Sequence, residues 1–242
     1  MRLYITRHGQ KASVTPAYDG GPNPPLTETG KEQAEHLATF FADRDVDTLY
    51  SSCQRRSLQT AQPIHELLDV DWNVWPVFCE TTTTRWRDRH EEDPAHALRV
   101  AAWRTGEELV EPKYDESEDG GYYPLSSIPE NYPGAALTQP IPWPDAWWIP
   151  KQAETYETGL PRIELGIDAL LCRHDHNDTV VITCHGNCGD KLIATLLGLP
   201  RRTQARRFSF ANTGVTCMER NDNEWRIRFA NQTEHLPPAI RV

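Results

Sequence analysis

The chain has 242 residues, of which 38% are hydrophobic and 25% charged, and its formal net charge is -10. A length of this order buries one sizeable core, so a single domain over residues 1–242 with an insertion is expected. The acidic balance weighs against nucleic acid or an anionic membrane as partner, since their phosphates are repelled at long range, and no run reaches the roughly 18 apolar residues of a membrane span.

In chain order, "LYITRHGQ" places Leu3 and Ile5 in alternation with polar neighbours, which predicts a strand over about 2–7 that ends on Arg7, His8 and Gly9. A Gly/Pro loop follows, and then "LTETGKEQAEHLATFFAD", where Thr27 or Thr29 can cap a helix with Ala34, Leu37, Ala38 and Phe41 on one face. "VDTLYSS" reads as a second strand. "QRRSLQTAQPIHELL" reads as a second helix, with Pro63 as a point for a kink. "WNVWPVF" reads as a third strand over 72–78, with Glu80 just beyond it.

Residues 87–152 are acidic at first and then rich in proline and tryptophan. One helix is expected within 91–112, and the prolines that follow argue against regular structure. Trp143, Trp147 and Trp148 favour packing against the body of the protein over recognition. "ETYETGLPRIELGIDALLCRH" restores helical spacing, with Pro161 in a first turn or at a break. "DTVVITCHG" is a buried strand ending on His185, and "NCGDKLIATLLG" is the next helix. "RRFSFAN", "GVTCMER" and "WRIRFAN" close the chain as three short strands. Strands alternating with helices predict a three-layer α/β/α fold with a mostly parallel central sheet.

Open α/β sheets bind ligands beyond the carboxyl ends of their strands. Two strands here end on a histidine followed by glycine, His8 and His185, and Arg7, Arg55, Arg56 and Glu80 fall at neighbouring strand ends or helix starts. Guanidinium groups match phosphate oxygens, a neutral imidazole attacks phosphorus, and a carboxyl group protonates the leaving oxygen, so the set suits phosphoryl transfer.

The motifs "RHG" at 7–9, "PLTETGKEQA" at 25–34, "SSCQRRSLQTA" at 51–61, "CHGN" at 184–187 and "FANTGVT" at 210–216 resemble the histidine phosphatase superfamily, the phosphoglycerate mutase-like family. The resemblance covers residues 2 to about 80 and 154 to about 235. It implies that His8 is the nucleophile that becomes phosphohistidine, that Arg7, Arg56 and His185 hold the phosphoryl oxygens, that Glu80 donates the proton, and that no metal or other cofactor is needed. Gly9 completes the signature beside the substrate. Asn187 either hydrogen-bonds substrate or caps the helix that follows it.

The resemblance implies a phosphomonoester hydrolase acting on a small phosphorylated metabolite. A phosphoglycerate-type mutase and a non-catalytic phosphate-binding module are the alternatives; Val14, near where the mutase branch often has asparagine, speaks against the first. Residues 87–152 are expected to cap the crevice, and their acidic first half to disfavour multiply charged substrates. "RRTQARR" at 201–207 reads as a solvated turn, or else as a recruiter of anionic substrate, and Arg55 as a surface charge. With no apolar leader before the first strand and six cysteines expected to stay reduced, a cytoplasmic location is expected. The oligomeric state is left open.

Overall fold

The computed structural model describes residues 1–15, 23–80, 124–139, 159–200, 206–222 and 224–241. Their strands are β1 (Arg2–Arg7), β2 (Thr48–Ser51), β3 (Asp71–Val74), β4 (Ala135–Leu137), β5 (Thr179–Cys184), β6 (Val215–Asn221) and β7 (Glu224–Gln232). The main helices are α1 (Glu28–Phe41), α2 (Arg55–Leu68), α4 (Gly159–Arg173) and α5 (Gly186–Leu196), and a single turn, α3 (Ile128–Asn131), precedes β4.

The seven strands form one sheet in the order β4-β3-β2-β5-β1-β6-β7. Pairing is parallel from β4 through to β1 and antiparallel for β6 and β7. Because side chains alternate across a strand, β1 sends Tyr4 to one face and Leu3 and Ile5 to the other. Tyr4 packs in a core with Leu37 and Phe41 of α1 and Leu58 and Ile64 of α2. Leu3 and Ile5 pack with Ile163 and Ile167 of α4 and Leu192 and Ile193 of α5. The sheet is therefore sandwiched between helix layers, as the alternation of elements predicts. Each fully buried side chain of this kind contributes about 1.5–3 kcal/mol relative to exposure, which is ample to hold the strand ends in place.

Local chemistry sets the helix boundaries. Thr27 is the cap of α1, its Oγ1 accepting the Gly30 N–H at 3.0 Å. The helix α2 continues through Pro63 and stops at Asp69, which adopts a left-handed φ of 52°. Pro161 lies in the first turn of α4.

Three expectations change. The third strand is shorter than 72–78, because Pro76–Phe78 turn into a 3₁₀ helix. Regular structure does occur among the prolines: Leu125, Ile128, Tyr132 and Ala135 are buried in the α1/α2 core, and β4 adds a parallel edge strand to β3. Residues 206–212 are not a strand; Asp190 Oδ1 accepts the N–H groups of Arg207 and Phe208, so this backbone is held by a side chain and not by a ladder. The expected helix within 91–112 and Trp143, Trp147 and Trp148 lie outside the described residues.

Candidate active site

The carboxyl ends of β1, β2 and β5, adjacent in the sheet, bring the two histidines together. His8 follows β1 and keeps its ladder, its N–H donating to Cys184 O at 3.1 Å, while His185 follows β5. Their ring centroids lie 5.1 Å apart, and both rings are buried.

The tautomer of His8 follows from its partners. Nδ1 lies 2.7 Å from Gly9 O, a pure acceptor, so Nδ1 carries the hydrogen. Nε2 accepts from Arg56 Nε at 3.1 Å, which places its lone pair in the crevice. Burial, followed by the charges of Arg56 and Arg7, holds the imidazole well below its ordinary value, so the neutral form prevails at working pH. Gly9 supplies that carbonyl from a crowded position: a Cβ there would stand 2.5 Å from Gly30 O. Its N–H donates to Thr60 Oγ1 at 3.0 Å, so the loop is tied to both α1 and α2.

The cations are held by neutral oxygens. Arg56 Nη2 donates to Gln54 Oε1 at 2.9 Å, and Arg7 Nη1 donates to Phe210 O at 2.9 Å. Neither of these contacts neutralises a guanidinium. Burial lowers Arg7 from its ordinary value and Arg206 adds to this, while Glu80 opposes both.

His185 Nε2 and Ser52 Oγ share a 2.7 Å hydrogen bond, which orients the ring from β2. Glu80 reaches the start of α5, where its Oε1 accepts the N–H groups of Asn187 and Cys188, both at 3.1 Å. Those are among the donors that an α-helix leaves unsatisfied at its N-terminus, and they favour a negative charge. Oε2 is 3.4 Å from Asn187 N, the weaker contact.

All seven residues singled out from the sequence, Arg7, His8, Gly9, Arg56, Glu80, His185 and Asn187, therefore fall in one region. Asn187 is not the helix cap, a place taken by His185, and its Oδ1 accepts from Arg206 Nε instead. Sequence reasoning passed over Ser52, Gln54, Lys11 and Asn212, whose Nδ2 donates to His8 O at 3.0 Å. It also favoured a solvated turn for a run that contains Arg206. Ser52 and Gln54 stand inside the motif read for Arg56, which is the signal that could have found them. Four buried cysteines, Cys53, Cys79, Cys184 and Cys188, are chain neighbours of Ser52, Glu80, His185 and Asn187, and Cys53 Sγ lies 3.2 Å from Cys79 Sγ. Among the described residues no group of three or more His, Cys, Asp or Glu is arranged to hold a metal ion, and no helix is long and apolar enough to cross a membrane.

The chain is similar to several known proteins. The chain is 36% identical over 108 residues to an adenosylcobalamin/α-ribazole phosphatase of Salmonella typhimurium, a match covering 43% of this chain and 54% of that protein. The chain thus spans about half the length of that relative. The corresponding Escherichia coli protein is 26% identical over 203 residues, covering 83% of this chain and 81% of that one. In fold, the chain resembles the α-ribazole phosphatase of Shigella flexneri with a TM-score of 0.61 at 22% identity, covering 96% of each chain. It resembles a mycobacterial glucosyl-3-phosphoglycerate phosphatase equally, with a TM-score of 0.61 at 22% identity over 96% of this chain and 99% of that one. The sequence profile of the histidine phosphatase superfamily (branch 1) matches residues 3–120 and 124–233, and the chain belongs to that superfamily.

Proposed function

We propose that the chain hydrolyses the phosphomonoester of a small metabolite through a phosphohistidine on His8. The observation that carries this reading is the state of the His8 ring, with Nδ1–H on Gly9 O and the Nε2 lone pair beside Arg56. The phosphatase names of the relatives support the reaction class.

In the first step, Nε2 bonds to phosphorus as the bond to the leaving oxygen breaks. Arg7, Arg56 and His185 offset charge on the equatorial oxygens, and protonated Glu80 gives its proton to the leaving alcohol. In the second, ionised Glu80 takes a proton from water while the water oxygen bonds to phosphorus and the P–N bond breaks. Orthophosphate leaves, and neutral His8 and protonated Glu80 are restored. Acid assistance of this kind contributes about 10²- to 10⁴-fold, so the cation clamp supplies most of the remaining acceleration.

The whole chain acts as one domain in this reading. The expectation that residues 87–152 cap the crevice falls, apart from residues 124–139, outside the described residues.

The test is a panel of phosphomonoesters with orthophosphate release and covalent labelling measured together. We expect release, acid-labile label on His8, and loss of both in a folded His8→Ala variant. Label returned to an alcohol in preference to water would make the protein a mutase. A folded protein that neither labels nor releases phosphate would leave only a binding module.

A further inference from the structure

Glu80 lies beyond the end of β3 at Val74, so the sheet ladder does not fix its backbone. The 3₁₀ turn Pro76–Phe78 and Cys79 lead to it, and α4 grips this stretch. Arg162, in the first turn of α4 and 8% exposed, donates from Nη1 to Val77 O and from Nη2 to Cys79 O, the latter at 3.2 Å. One turn further along the helix, Gly166 lets Val77 approach, since a Cβ there would stand 2.9 Å from Val77 Cγ2. Ile163 and Ile167 pack in the same core as Val77 and Phe78.

The contact to Cys79 bears directly on the carboxylate. Cys79 O and the Glu80 N–H belong to one planar peptide group, so fixing either end orients the other. Arg162 holds the carbonyl end, and the N–H end faces Gln54 Oε1 at 3.4 Å. Two carbonyls on alternate residues require two donors at a set separation. The planar fork of an arginine supplies them, and the single nitrogen of a lysine does not reproduce that geometry.

We propose that Arg162 is a positioning residue for Glu80. Its guanidinium fixes the Cys79–Glu80 peptide, and through it the seat of the carboxylate on the Asn187 and Cys188 N–H groups. The inference rests on the phosphatase reading for the proton that Glu80 donates. A misplacement of about 1 Å costs on the order of 10²-fold in rate, so the loss of the fork should appear in the step that needs this proton.

Two measurements on the full chain test this, one with turnover and one without. In Arg162→Gln, alkyl phosphates should slow by about tenfold or more while aryl phosphates change little, because only the former need the acid. In a Glu80→Gln background the same change should cost less than about twofold further, since residues acting through one group are not additive. A loss that is equal for alkyl and aryl substrates, or that adds fully to Glu80→Gln, would overturn the proposal. Amide hydrogen exchange supplies the second readout: Asn187 and Cys188 should exchange faster in Arg162→Gln while the amides of β5 keep their protection. Unchanged exchange at both positions would also overturn it. Arg162→Lys, which keeps the charge without the fork, should show both effects to a lesser degree and carries both measurements if Arg162→Gln does not fold. Faster exchange at 187 and 188 in a protein whose wild type hydrolyses no phosphomonoester would leave the positioning contact standing and overturn the phosphatase reading instead.

Discussion

Arg56 Nε donates to His8 Nε2 at 3.1 Å, so one guanidinium both aims the lone pair of the imidazole and opposes its protonation. Arg55, its chain neighbour, is exposed. Replacing Arg56 with Ala should lower kcat/KM by about 10²- to 10³-fold, the scale of one lost preorganised donor. Arg55→Ala should do far less. The acid limb of the pH–rate profile should also move upward in Arg56→Ala, since a cation that depresses the histidine is gone. Equal losses at 55 and 56, or an unmoved acid limb, would count against this pairing.

Glu80 separates acid assistance from charge stabilisation. In Glu80→Gln the two N–H contacts from α5 can be kept by an amide oxygen, but the proton cannot be supplied. Alkyl phosphates, whose leaving groups need that proton, should slow by about 10²- to 10⁴-fold, and aryl phosphates much less. Uniform slowing across a leaving-group series would place the acid elsewhere.

How much of this was readable from sequence depends on what each residue does. His8 and His185 could be found because a strand of β-branched and apolar residues ending in His-Gly fixes a direction and an end, and a parallel sheet brings such ends together. Arg56 could be found because its motif sets the register. Arg206 could not, because its place depends on Asp190 and Asn187 holding a segment that reads as a strand by its alternating apolar residues. The edge strand β4 was hidden for a different reason: it has three residues, and the prolines around it dominate any reading of periodicity.

His235 ties stability to pH. Both its ring nitrogens are buried without a hydrogen-bond partner among the described residues, and burial, then His36, pushes it down to about 4 from 6.5. Between those values the unfolded chain binds more protons than the folded one, so stability falls as pH is lowered through that window. His8 acts with the same sign, its folded value lying well below 6.5. The urea midpoint should therefore drop between about pH 7 and about pH 5, and the drop should be smaller in His235→Phe, which keeps the aromatic contact with Phe40. An identical drop in the variant would remove His235 from the account.

The segment between Glu80 and Pro124 can be tested apart from β4. A variant that replaces residues 87–122 with a short Gly/Ser linker and keeps 124–139 preserves the edge strand and its buried Leu125, Ile128 and Tyr132. It should hydrolyse a small aryl phosphate at close to the wild-type rate while discrimination among larger metabolites flattens. A folded variant with an unchanged selectivity profile would assign the segment to packing or assembly.

The sheet order also governs how the chain can assemble during synthesis. β5 lies between β1 and β2, so these two strands do not pair with each other and the gap between them stays open until residues 179–184 are made. Closing that gap is a long-range event, which slows folding and leaves β-rich edges exposed on the nascent chain. Translation stalled anywhere before β5 should hold the N-terminal half in a chaperone-dependent, protease-sensitive state, and neither histidine should acquire its protected environment until the last parallel strand has inserted.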